Sequence, residues 1–215
     1  MKYPNAQILI FAKQPIPGEV KTRLIPAIGV TSATDLHCAM TRRVAAMLSA
    51  AALAPFRFAV SGDVNDPLFA ECDGSLPPTT QIGEDLGERM LNAATRAFEA
   101  KQKPSEATVE YVVIVGADCP SLAPNHVQET LESLASGIEV VFVPADDGGY
   151  VLVGMSRVFA AMFQDIVWGT SEVLQVSLNK LSKMGVSTRC LSPLWDVDTE
   201  EDLLKLAWLE QPLEW

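Results

Sequence analysis

The chain has 215 residues, of which 48% are apolar and 20% charged, and its formal charge is −11. This length can bury a core that needs no disulfide or structural metal, and the composition is that of a folded protein rather than a disordered one. The acidity excludes a nucleic-acid polymer as partner, because binding a phosphate backbone requires a broad basic surface.

The charge is divided unevenly. Residues 1–60 carry seven Lys or Arg against two acids, whereas residues 61–215 carry nine against twenty-five. A basic segment at the start of an acidic chain points to a small anionic ligand held locally. Cys38, Cys72, Cys119 and Cys190 form no C-x-x-C pair, so neither a zinc site nor a redox motif is indicated and reduced thiols are expected. No internal repeat is visible, so residues 1–215 read as one domain.

The first apolar run, Ile8 to Ala12, reads as a buried strand. Interrupted by Lys13, it is too short for a signal-peptide core or a membrane span, so the cytoplasm is the expected compartment and no membrane partner is expected. Thr31 to Ala52 reads as a long helix with Thr31 or Ser32 as cap. Phe56 to Val60 follows as a strand and Leu86 to Ala100 as a helix, with Leu86, Met90, Ala94 and Phe98 on one face. Tyr111 to Val115 is a continuous β-branched run suited to a central parallel strand. A helix from Pro124 to Ala135 and a strand from Val140 to Val143 come next. Gly148 and Gly149 turn the chain into a strand from Tyr150 to Gly154, where an antiparallel or irregular member is expected. A helix from Glu172 to Met184, a strand from Ser187 to Leu191 and a helix from Glu200 to Leu209 complete the series. The alternation predicts an α/β fold of three α/β/α layers around a mostly parallel mixed sheet.

Such sheets bind ligands at the carboxyl ends of their strands, so the loops leaving those strands are where chemistry is expected. The first, Lys13-Gln14-Pro15-Ile16-Pro17-Gly18-Glu19-Val20-Lys21-Thr22-Arg23, combines three cations with two prolines and a glycine. The prolines restrict the backbone, and the cations can neutralise phosphate oxygens. It is not a Walker loop, because no glycine precedes Lys21. In Val115-Gly116-Ala117-Asp118-Cys119-Pro120-Ser121 an acid follows the central strand directly, a position suited to Mg²⁺ or Mn²⁺, although it also suits a turn cap. Asp146-Asp147-Gly148-Gly149-Tyr150 lets the backbone approach a ligand that Tyr150 can stack on or hydrogen-bond, and it equally fits a plain hairpin turn. In Trp195-Asp196-Val197-Asp198-Thr199-Glu200-Glu201-Asp202, extended backbone would aim Asp196 and Asp198 the same way, and one of them can complete a metal site begun by Asp118. Thr199 and Asp202 stand in capping-box positions. Capping and packing account for the segments Gln81 to Met90 and Trp168 to Ser171, with Thr170 or Ser171 as a cap. His37 and His126 have no partner motif and receive no catalytic role.

Taken together, these loops resemble the nucleotide-diphospho-sugar transferase (GT-A-like) fold, and within it the radical-SAM- and selenodomain-associated transferases described as glycosyltransferases of arsenosugar biosynthesis. The resemblance is carried by Phe11-Ala12-Lys13, Pro15, Pro17-Gly18, Lys21-Thr22-Arg23-Leu24, Gly83, Asp85-Leu86-Gly87-Glu88-Arg89-Met90, Gly116 to Ser121, Asp147 to Tyr150, Trp168-Gly169-Thr170 and Asp196 to Thr199. It implies Lys21 and Arg23 on the donor phosphates, with Asp118 and Asp198 on Mg²⁺ or Mn²⁺. It further implies substrate contacts from Lys13, Pro17, Gly18, Gly83, Asp85, Gly148, Gly149, Tyr150 and Trp168. Asp147 is the candidate base for a small-molecule acceptor. The segment Lys21 to Pro26 is also similar to the Lys-Ser-Arg-Leu segment of phospholactate guanylyltransferases, which transfer a nucleotide and release pyrophosphate. Three expectations follow: glycosyl transfer from a nucleotide sugar, nucleotidyl transfer from a nucleoside triphosphate, or a nucleotide sensor without turnover.

Overall fold

The alternation of side chains along the first strand decides how the layers assemble. In the computed structural model, which describes residues 1–72, 74–99 and 108–215, β1 spans Ala6–Lys13. Ala6, Ile8, Ile10 and Ala12 point into one core with Val44, Ala45 and Leu48 of helix α1 (Ile25–Ala51) and Val127 and Leu131 of α4 (Pro124–Ala135). Leu9 points into the opposite core with Met90, Ala94 and Ala97 of α3 (Leu86–Glu99) and Leu181 of α5 (Val173–Lys183). A strand buried on both faces favours apolar residues on both, which explains the unbroken run Ile8 to Ala12, with Gln7 as a buried polar exception at its start.

The sheet has seven strands among the described residues, in the order β3-β2-β1-β4-β6-β5-β7. The remaining strands are β2 (Phe56–Ser61), β3 (Thr79–Thr80), β4 (Tyr111–Gly116), β5 (Val140–Pro144), β6 (Tyr150–Met155) and β7 (Thr188–Cys190). As expected, β6 is the antiparallel member, pairing with both β4 and β5. The Gly148-Gly149 turn reverses the chain after β5, and the register shifts at Val143/Pro144. The expected three-layer α/β/α architecture with a mostly parallel mixed sheet is therefore what the chain adopts. No described helix is long and apolar enough to cross a membrane.

Several boundaries differ from expectation. Helix α1 is entered through Leu24 with proline in its first turn, and Gly29, at φ 80°, kinks it. The helix resumes directly after Gly29, so Thr31 and Ser32 lie within its first turn rather than at the cap position. Helix α5 begins after Glu172 without a side-chain cap; Thr170 instead donates to the Val167 carbonyl, so neither Thr170 nor Ser171 caps it. Residues 200–209 form one turn of α-helix, α6 (Glu200–Leu203), followed by a 3₁₀ segment Leu204–Trp208. A short helix α2 (Pro67–Glu71), capped by Asp66, and a 3₁₀ turn at Ala160–Met162 are additional. Ala100, the expected last residue of α3, lies outside the described residues.

A third apolar cluster matters most for function. Val197, near the end of the chain, is fully buried with Leu24, Ala33, Leu36 and Met40, and Trp195 and Leu206 pack beside it. This cluster fastens the C-terminal segment to the start of α1, next to the basic loop.

Candidate active site

Strand order changes direction between β1 and β4, since β2 and β3 lie on one side of β1 while β4, β6, β5 and β7 lie on the other. A cleft of about 650 Å³ opens at the carboxyl ends of these strands, where open α/β sheets bind ligands. Residues from all four unusual loops line it, including Lys13, Lys21, Arg23, Asp118, Asp147, Gly149, Tyr150, Trp168, Asp196 and Asp198.

The basic loop folds inward through Val20, which is buried, and Leu24, which is fully buried. Between them Lys21 takes a left-handed backbone conformation at φ 46°, a conformation costly for a residue with a side chain and found preferentially at functional positions. Its side chain is only 5% exposed, and its ammonium donates to Asp118 at 2.9 Å and lies 3.9 Å from Asp198. Burial opposes the ammonium charge, but Asp118 and Asp198 outweigh it and hold the Lys21 pKa above its ordinary value. For Asp118, burial favours the neutral acid, yet Lys21 keeps the carboxyl below its usual value. Arg23 pairs with Asp198 from the solvent side.

The acidic wall is built by the turn that follows β4 and the segment Trp195 to Asp198 lying against it. The Val197 N–H donates to the Asp118 carbonyl at 3.2 Å, and Ser121 Oγ donates to the Trp195 carbonyl at 2.8 Å. With Val197 turned into the core, Asp196 and Asp198 both line the cleft, as period-two alternation requires. Asp196 is raised to about 6, first by burial and then by its neighbours Asp118 and Asp147. Thr199 and Asp202 form the expected capping box, with Asp202 accepting from the Thr199 N–H at 2.8 Å and the Asp198 N–H at 3.1 Å.

Lys21 bears directly on the metal expectation. Among the described residues no group of three or more His, Cys, Asp or Glu side chains is arranged to hold an ion. Asp118 and Asp198 are instead engaged by the Lys21 ammonium, a cation standing where their charges converge. Carboxylate oxygens are the hard donors that Mg²⁺ and Mn²⁺ prefer, so the donor chemistry fits such an ion.

Five expected substrate contacts do not line the cleft. Pro17 and Gly18 form the exposed turn that precedes Lys21. Gly83 packs against α3, where an added Cβ would stand 2.6 Å from Glu88 Cβ, and Asp85 accepts from the Glu88 N–H at the start of that helix. Gly148 is pressed against Ser171, with 2.2 Å between an added Cβ and the Ser171 carbonyl oxygen. The close approach that makes glycine necessary there is to the protein's own chain. Asp147 lines the cleft and also accepts from the Gly149 N–H at 2.9 Å, as in a turn.

Asp196 joins the acidic wall, as the alternation Trp195-Asp196-Val197-Asp198 led one to expect. Three residues gain a place that sequence reasoning did not give them. His37, 5% exposed, lines the cleft with Nε2 2.9 Å from the Lys13 carbonyl; burial, reinforced by Lys21, lowers its pKa, so the neutral ring donates there. Gln81 donates to the Ala59 carbonyl at 2.8 Å beside the same cleft. Arg89 lines the cleft as well. No local pattern marks His37, because its partner is a backbone carbonyl 24 positions away. His126 remains outside the site; its Nδ1 accepts from the Ala123 N–H at the start of α4.

Sheet order, the antiparallel β6 and a cleft between β1 and β4 define the fold of the nucleotide-diphospho-sugar transferases. The chain belongs to the DUF2064 family, described as an uncharacterized protein conserved in bacteria, whose model matches residues 44–170. A crystal structure of a protein from Desulfovibrio desulfuricans G20, provisionally assigned as a nucleotide-diphospho-sugar transferase, is 30% identical with a TM-score of 0.81, over 91% of this chain and 83% of that one. Two more distant structures share the fold. The 4-diphosphocytidyl-2C-methyl-D-erythritol synthase of Anaerococcus prevotii DSM 20548 is 12% identical with a TM-score of 0.60, over 96% and 98% of the two chains. The glucosyl-3-phosphoglycerate synthase of Mycobacterium tuberculosis, in complex with Mn²⁺, UDP and glucosyl-3-phosphoglycerate, is 10% identical with a TM-score of 0.54, over 94% of this chain and 75% of that one. No curated protein matches the sequence.

Proposed function

We propose that this protein is a metal-dependent transferase acting on a nucleotide-activated donor, with glycosyl transfer from a nucleotide-diphosphate sugar to a small acceptor as its reaction. The observation that carries this reading is the meeting of Lys21 and Arg23 with Asp118 and Asp198 at the β1/β4 switch point. Breaking a glycosidic bond to a diphosphate leaves negative charge on the departing oxygens, and preorganised cations in a partly dry cleft stabilise that charge. Lys21, Arg23 and Lys13 serve this role. Asp118 and Asp198 would hold Mg²⁺ or Mn²⁺, which would add Lewis-acid neutralisation of the diphosphate. Asp147, on the cleft lining, is the candidate to take the acceptor hydroxyl proton. The finer likeness to the radical-SAM- and selenodomain-associated transferases supports the same reaction type.

A second reading, nucleotidyl transfer with pyrophosphate release, is favoured by the segment Lys21-Thr22-Arg23-Leu24-Ile25-Pro26. One assay separates the two. Purified protein with Mn²⁺ or Mg²⁺ is incubated with a panel of nucleotide sugars and nucleoside triphosphates and candidate acceptors. Nucleoside diphosphate as product supports the first reading, and acceptor-dependent pyrophosphate the second. Nucleotide binding without either product across the panel assigns a sensor.

A further inference from the structure

One cationic side chain of the cleft lining has no acidic partner among the described residues. Arg89, in the first turn of α3, lines the cleft beside Leu86 and Met90. Its Nε donates to the Gly83 carbonyl at 3.0 Å, which fixes the guanidinium, and among the described residues it forms no ion pair. The acids next to it in sequence are committed to the start of the helix. Asp85 accepts from the Glu88 N–H at 2.8 Å and Glu88 from the Glu84 N–H at 2.9 Å, and none of the three lines the cleft. Two further donors belong to residues of the same lining. The Tyr150 hydroxyl and the Trp168 indole nitrogen are buried without a hydrogen-bond partner among the described residues, on rings whose centroids are 6.4 Å apart. Trp168 is seated on Gly87, where an added Cβ would stand 2.8 Å from its Nε1.

The Tyr150 and Trp168 donor atoms are closed off from the cleft by this packing, whereas the Arg89 guanidinium is only half-buried and can be reached from it. A fixed guanidinium with no carboxylate of its own matches the paired oxygens of a carboxylate or phosphate. The acids of the same lining, Asp118, Asp147, Asp196 and Asp198, would repel a second anion elsewhere in the cleft. We propose that Arg89 marks an acceptor subsite, in which it pairs with a carboxylate or phosphate group and Leu86 and Met90 cover a short carbon chain beside it. The assignment rests on the transferase reading, which places the donor phosphates on Lys21 and Arg23.

The test is thermal shift in two stages. A panel of nucleoside diphosphates with Mn²⁺ first identifies a nucleotide that raises the melting temperature; if none does, the transferase reading falls and the subsite with it. With that nucleotide at saturation, D-lactate, glycerol 3-phosphate and glycerol are titrated separately. The expected result is further stabilisation by D-lactate, by glycerol 3-phosphate or by both, the difference telling carboxylate from phosphate, and none by glycerol. Arg89→Gln should weaken the anion roughly tenfold or more while leaving the nucleotide response intact, which also shows that the variant is folded. Arg89→Lys should recover part of the loss. If the nucleotide response is present but neither anion exceeds glycerol, the subsite does not exist. Equal loss of nucleotide and anion in Arg89→Gln would instead put Arg89 on the donor and overturn the proposal.

Discussion

Val197 donates its backbone N–H to the carbonyl of Asp118 at 3.2 Å while its side chain is fully buried beside Leu24 and Leu36. One residue thus joins the three parts of the chain that form the site, and its burial fixes the directions of Asp196 and Asp198. Replacing Val197 by Ala should cost about 2 kcal/mol, by analogy with other large-to-small core changes. Nucleotide affinity should fall by more than in Val44→Ala, a comparable core truncation away from the cleft. Urea unfolding and nucleotide titration of both variants measure the two effects, and equal affinities would contradict the positioning role.

Lys21 has two separable properties, its charge and its left-handed backbone. Lys21→Ala and Lys21→Gly should both bind nucleotide roughly tenfold or more weakly, because both lose a charge-assisted contact to phosphate. Glycine adopts φ 46° without the steric cost that a Cβ brings, so Lys21→Gly should be more stable than Lys21→Ala by about 1 kcal/mol. Denaturation midpoints of the pair check this without reference to activity.

Removing Asp118 leaves a buried ammonium with one partner at 3.9 Å. Asp118→Ala should therefore destabilise the protein by about 1–3 kcal/mol and abolish metal-dependent nucleotide binding. Calorimetric titration with and without Mn²⁺ is the measurement; a variant that binds nucleotide and metal as the parent does would exclude Asp118 from the site.

Gly87 has no room for a side chain, since a Cβ would stand 2.1 Å from the Phe163 carbonyl oxygen and 2.8 Å from the Trp168 ring. Gly87→Ala should push Trp168 from its seat at a cost of about 1–3 kcal/mol. A changed tryptophan emission spectrum in the folded variant would report the displacement.

Asp202 gives an acid dependence with a definite sign. Burial acts against its charge, but the N–H groups of Thr199 and Asp198 and the Lys205 ammonium lower it to about 2 in the folded protein, from an ordinary 3.8. Its contribution is complete above the unfolded value and is lost as pH falls from about 4 towards 2. After allowance for solvent screening this is worth about 1 kcal/mol, the scale of a helix cap. Asp202→Asn should be less stable than the parent at pH 7, with the difference shrinking below pH 4; a constant difference across that range would refute it.

Much of the fold could be read from the chain because strand and helix periods are local. The buried run at Tyr111 to Val115, the turn at Gly148-Gly149 and the amphipathic face Leu86, Met90 and Ala94 each declare themselves within a few residues. The site was legible to the extent that its residues sit directly after strands, as Asp118 does, or alternate in extended backbone, as Asp196 and Asp198 do. His37 and Arg89 were not legible as cleft residues, because what places them is contact with distant backbone or the absence of an acidic partner. Gly148 read as room for a ligand, and the structure uses that room for Ser171.

The sequence by itself determined the class of fold, the cationic character of the first loop and the presence of acids at two later turns, since composition and short-range pattern encode these. Tertiary structure alone decided that Lys21 stands between Asp118 and Asp198, that the terminal segment closes on α1 through Val197, and that Arg89 faces the cleft without a counter-charge. Those relationships join positions tens to nearly two hundred residues apart, and only burial of a shared core and the pairing of charges removed from water bring them together.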